Sequence, residues 1–139
     1  YFVYVQYLLQ NHEIEPHNIQ LLFNHCTKLL NEASLRVQSL AVVILSMVVP
    51  SIPLDNLVVF QESQMSNVLS SMLLNEDNNE EVENALFSIL MALLERGIVV
   101  PFMKDHNFWQ DFMESFDRKE RKRSFYLYLI SERLGLCLF

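Results

Sequence analysis

A four-residue string occurs twice in this chain, and the segment after each copy fixes most of what the chain can become. Leu29, Leu30, Asn31 and Glu32 reappear as Leu73, Leu74, Asn75 and Glu76. Each copy leads into a segment with the same apolar phase. Val37, Leu40, Ala41, Ile44, Leu45 and Val48 stand at i, i+3, i+4, i+7, i+8 and i+11, and Val82, Ala85, Leu86, Ile89, Leu90 and Leu93 repeat that series 45 positions later. Steps of three and four place all six side chains on one face of a 3.6-residue helix. A fixed period of roughly 40–47 residues with two helices per unit is the mark of stacked helical repeats, in which each unit covers an apolar face that its neighbour cannot bury alone.

Composition agrees with helix. Gly occurs twice and Pro four times in 139 residues, too few for a β-rich or loop-rich protein. Leu, Met, Glu and Gln, all good helix formers, fill the periodic segments. The first expected helix covers residues 1–10, with Tyr1, Tyr4, Val5 and Leu8 in phase, and breaks before Pro16, which pushes its predecessor out of helical geometry. The next, over 17–31, carries Ile19, Leu22, Phe23, Cys26, Leu29 and Leu30 on one side. Ser34 is placed to cap a helix running to 49, which Pro50 and Pro53 end. A single long helix is expected over 54–74, with Leu54, Leu57, Val58, Met65, Val68, Leu69 and Met72 on one face and Gln61 as its one polar interruption. After an acidic, Asn-rich turn, Glu80, Glu81 and Glu83 open a helix to Arg96, where they complement the positive end of the helix dipole. Gly97 then supplies the left-handed stop. Beyond Pro101, Phe108, Phe112 and Phe116 fall at i, i+4 and i+8, with Trp109 and Met113 beside them, and a last helix spans 124–134.

The expected architecture is therefore all-α, a right-handed stack of α–α units with about seven helices. One domain covers 1–139, divided into a partial repeat 1–15, a repeat 16–53, a repeat 54–100 and a degenerate repeat 101–139. In the last, Phe125, Tyr126, Leu129 and Ile130 match the earlier second helices near an offset of 40, and Arg133 does not. The chain starts at Tyr1 rather than Met, so a piece of a longer protein is expected. Residues 1–9 and 125–134 are apolar nearly all round, whereas a repeat ending a stack needs a polar outer side. Both ends are thus expected to be covered by further repeats, a second copy or another protein.

With the Leu-Leu-Asn-Glu string, a few polar residues, Val, two more residues and then an Ala- and Leu-rich helix, residues 29–97 resemble the armadillo/HEAT family of α-solenoids. The resemblance implies a non-enzymatic scaffold that holds other proteins as part of a larger complex. The Asn and Trp arrays with which importin-type members grip basic peptides are not matched. Asn84 stands alone on its helix, with Gln38 or Ser39 at the equivalent place one unit earlier.

Charge narrows the partner. Residues 1–117 hold four Lys/Arg against fifteen Asp/Glu, a balance of −11, and residues 118–139 hold six against two, a balance of +4. An acidic body repels phosphate backbones, so nucleic acid is not the expected partner. The basic residues concentrate in Arg118, Lys119, Arg121, Lys122 and Arg123, five cations in six positions just before a helix whose dipole disfavours them. They read as an import signal, a contact for an acidic partner or a phosphate site, against the plainer reading of a solvated turn. With Phe125, Tyr126, Tyr128 and Ile130 of the last helix they form the expected partner-binding surface. Trp109 is the remaining candidate, as an interface anchor if exposed and as core if not.

Chemistry finds no foothold. The sequence contains no Gly-x-Ser-x-Gly, no Gly-rich phosphate loop and no His-Glu-x-x-His. His12, His17, His25 and His106 lack metal-ligand spacing, and neighbours His25 and Cys26 point about 100° apart on a helix. The acidic stretch over 76–83 lacks the alternating ligands and central Gly of a calcium loop. No catalytic, cofactor-binding or metal-binding residue is therefore assigned. An enzyme with a site assembled from distant residues is a minor alternative. Cys26 and Cys137 read as buried thiols of a reducing compartment. The apolar run over 40–49 is half a membrane span, and an intracellular protein, nuclear or cytoplasmic, is expected. A second architecture also fits the length: a compact helical bundle resembling the poxviral apoptosis regulators, which take an amphipathic helix in a groove. A stack predicts contacts between helices about 45 residues apart. A bundle predicts one central helix touching all the others.

Overall fold

A computed structural model describes residues 16–32, 34–75 and 79–114. They form six α-helices joined by turns and short 3₁₀ segments, with no strand among the described residues. Helix α1 spans Pro16–Glu32 and α2 spans Leu35–Val48. A 3₁₀ turn, Val49–Ser51, leads to the short α3, Leu54–Leu57, and a second one, Val58–Gln61, leads to α4, Ser63–Leu74. Helix α5 spans Glu80–Glu95, and after a third 3₁₀ turn, Pro101–Lys104, α6 spans His106–Glu114. The expected helices over 1–10 and 124–134 lie outside the described residues.

The two repeated helices lie side by side. Helix α2 packs against both α1 and α5, while α4 meets α1, α5 and α6. Among the described residues no helix makes extensive contact with all the others. Ala41, Ile44, Leu45 and Val48 are buried, and so are Leu86, Ile89, Leu90 and Leu93, their counterparts 45 positions on. Val37 is only half-buried, and Leu40 departs from the expected face, being 39% exposed where its counterpart Ala85 is buried. Leu40 sits at the margin of the apolar stripe, so a small change in how its helix is rolled against its neighbours is enough to uncover it.

The stretch expected as one helix over 54–74 is broken. Three residues per turn in the 3₁₀ segment put Leu57 and Phe60 on the same side, and both are fully buried. Phe60 meets Phe23 of α1 edge to face, with ring centroids 6.0 Å apart. Leu54 and Val58, expected on the buried face, point outward at 47% and 50% exposure. Glu62 is extended (φ −71°, ψ 143°) and restarts the chain as α4. From there the expected phase resumes, with Met65, Leu69 and Met72 buried.

Helix ends are closed in specific ways. The Ser34 hydroxyl makes no capping bond, contrary to expectation, although its carbonyl oxygen accepts from Gln38 N at 2.9 Å. The α5 cap is Asn79, whose Oδ1 accepts from Val82 N at 2.9 Å, and Glu80, Glu81 and Glu83 occupy the first turn as expected. At the other end Gly97 takes φ +81°. Its N–H donates to Leu94 O at 3.0 Å and the N–H of Ile98 donates to Leu93 O at 2.9 Å. This double closure is the Schellman arrangement, and its customary apolar contact is provided by the buried Ile98 and Leu93.

Candidate interaction surface

Helices α2 and α5 bury the same phase, so their less buried positions also coincide at the 45-residue offset. Ser39 matches Asn84, Ser46 matches Met91 and Met47 matches Ala92, each pair half-buried. Val43 and Ser88 form a fourth pair, half-buried and exposed. This less buried strip of the two helices is uncharged and built from Ser, Asn, Met, Ala and Val, with Val43, Met91 and Ala92 packed partly against the core, and it is bounded by the exposed Arg36 and Glu81 at one end and Glu95 at the other. In a chain whose first 117 residues carry −11, an uncharged strip with two methionines is a surface suited to partners that pack rather than pair charges.

A second feature, not anticipated from sequence, is a cleft of about 360 Å³ between the start of α2 and the second half of α4. Leu35, Val68 and Met72 give it an apolar side. Asn67 and Ser71, at i and i+4 along α4, Asn75 just past its end, and Gln38 of α2 give it uncharged polar groups. Gln38 is held there because its Nε2 donates to the carbonyl oxygen of Leu30 at 2.8 Å, tying α2 to the end of α1. The polar stripe was legible as a spacing, but its juxtaposition with Leu35 and Gln38 depends on how α2 and α4 come together.

Trp109 is not an anchor on this surface. It is fully buried, with its Nε1 donating to the carbonyl oxygen of Met103 at 2.7 Å. Around it, Phe108 and Phe112 stand with ring centroids 4.9 Å and 5.8 Å away, and Phe102 contacts Phe108 at 4.6 Å. The buried Ser66 of α4 fastens this cluster by accepting from Phe102 N at 3.1 Å. Large rings with a polar edge are core elements when that edge finds a partner, which is the case here. The other sequence candidates, Arg118, Lys119, Arg121, Lys122, Arg123, Phe125, Tyr126, Tyr128 and Ile130, lie outside the described residues.

Among the described residues no group of His, Cys, Asp and Glu is placed to hold a metal ion. His25 is exposed while its neighbour Cys26 is fully buried, facing the core. Burial pushes the Cys26 thiol up to about 12 from an ordinary value of 9.0, the opposite of what an activated nucleophile needs. Every buried side-chain nitrogen and oxygen among the described residues has a hydrogen-bond partner. No helix among them is long and apolar enough to cross a membrane. No known protein family, curated protein or solved structure matches the chain.

Proposed function

We propose that this chain is a non-enzymatic protein–protein interaction module, a short armadillo/HEAT-like α-solenoid segment working inside a larger complex in the nucleus or cytoplasm. One observation carries the reading: α2 and α5, which share an apolar phase 45 residues apart, pack side by side, while the helices preceding them, α1 and α4, also touch. Contacts between equivalent helices of successive units are what a stack requires, and a bundle gives no reason for the 45-residue repeat itself. The broken first half of the second unit supports the armadillo side of the resemblance. Helices α3, α4 and α5 make that unit three-part, and units of two or three helices are the pattern of this group.

Stacks of this kind bind through extended surfaces rather than through a catalytic pocket. The uncharged outer strip of α2 and α5 is one such surface. The basic residues Arg118, Lys119, Arg121, Lys122 and Arg123, followed by Phe125, Tyr126, Tyr128 and Ile130, are proposed as the second, taking a protein with an acidic rim and an apolar groove. Neither nucleic acid nor a membrane is a proposed partner, and no cofactor is assigned.

The test is the size of the purified 139-residue chain by light scattering, alone and after co-expression in cells that supply partners. The expected result is self-association or a complex of fixed stoichiometry, reduced by Phe125→Asp with Ile130→Asp. A stable monomer at high concentration, with no stoichiometric partner and no response to those substitutions, overturns the proposal.

A further inference from the structure

We draw no further inference here: the strongest candidate, the cleft between the start of α2 and the second half of α4 where Leu35, Val68 and Met72 face Asn67 and Ser71, carries none because nothing in the structure shows what covers it.

Discussion

The guanidinium of Arg96 donates to the carbonyl oxygen of Ile52, joining the end of α5 to the turn after α2. The same nitrogen lies 3.4 Å from the carbonyl oxygen of Val49, which also accepts from Ile52 N at 3.2 Å, so one cation reaches two carbonyls of the turn where α2 runs out. Carbonyls at a helix C-terminus carry partial negative charge and lack intrahelical partners, which makes a cation their natural complement. The contact fastens the two repeated helices at their common end, 44 and 47 residues apart in sequence.

Arg96→Ala is expected to cost about 1.5–3 kcal/mol, the range for a hydrogen bond to a charged group. Arg96→Lys is expected to restore part of that, since a single ammonium offers charge without the planar fork. Urea denaturation of the three proteins checks this. An alanine variant within about 0.5 kcal/mol of wild type, the scale of ordinary surface changes, would mean that water replaces the guanidinium without loss.

Leu45 and Leu90 test the shared register of α2 and α5. Both are buried, at 0% and 1% exposure. Leu45→Ala and Leu90→Ala are each expected to destabilise by about 2–5 kcal/mol through lost transfer energy and the cavity left behind. Leu40→Ala, at the uncovered margin of the same helix, is expected to cost much less. Equal losses at Leu40 and Leu45 in urea melts would show that Leu40 is covered as its counterpart Ala85 is, and that α2 is rolled as α5 is.

These outcomes separate what the sequence could reveal from what it could not. Helices α1, α2 and α5 were readable to within about two residues, because periodicity, proline and glycine mark their ends independently. The break at 58–62 was not. Leu54, Leu57, Val58 and Met65 fit a continuous helical face, and the signals against it are Phe60, large and out of phase, and the four consecutive polar residues Gln61, Glu62, Ser63 and Gln64. Its burial is won by contact with Phe23, a tertiary effect that local spacing does not contain. Trp109 was ambiguous for the same reason: the hydrogen bond that makes it a core residue ends on a backbone carbonyl six positions earlier. The candidate surface was half legible. The Asn67, Ser71 and Asn75 stripe is a spacing, whereas the cleft it borders requires α2 to lie opposite.

Trp109 is the chain's one tryptophan, so its environment can be read directly. Its burial predicts a blue-shifted native emission, poor quenching by acrylamide and a red shift on unfolding. Trp109→Phe keeps most of the apolar volume but strands the carbonyl oxygen of Met103, and is expected to cost about 1–3 kcal/mol. Native emission like that of tryptophan free in water would remove Trp109 from the core.

Cys26 predicts a pH dependence whose sign is fixed. Its thiol is raised by burial from 9.0 to about 12 in the folded chain, so the unfolded chain releases this proton first. The associated stability is complete below pH 9 and is lost as pH rises from there toward 12, at up to about 1.4 kcal/mol per pH unit. Wild type is therefore expected to lose stability faster than Cys26→Ala between about pH 9 and pH 10.5, although the alanine variant starts lower because of its cavity. Parallel slopes in urea melts across that range would mean that the folded thiol ionises as freely as the unfolded one.

Gly97 isolates the cost of a backbone conformation from that of packing. Its φ of +81° belongs to the left-handed region, yet a Cβ built there would meet nothing within 4 Å. Any penalty for a side chain must therefore come from the backbone itself and not from a clash. Gly97→Ala is expected to destabilise by about 1–2 kcal/mol, the cost of holding an L-residue left-handed. Gly97→Asn is expected to cost less despite its larger side chain, because asparagine enters that region more readily. If size decided the outcome, the order would reverse. Chemical denaturation of the two variants distinguishes these cases, and a loss that grows from alanine to asparagine would show that α5 does not end on the left-handed turn that Leu93, Leu94 and Ile98 close around it.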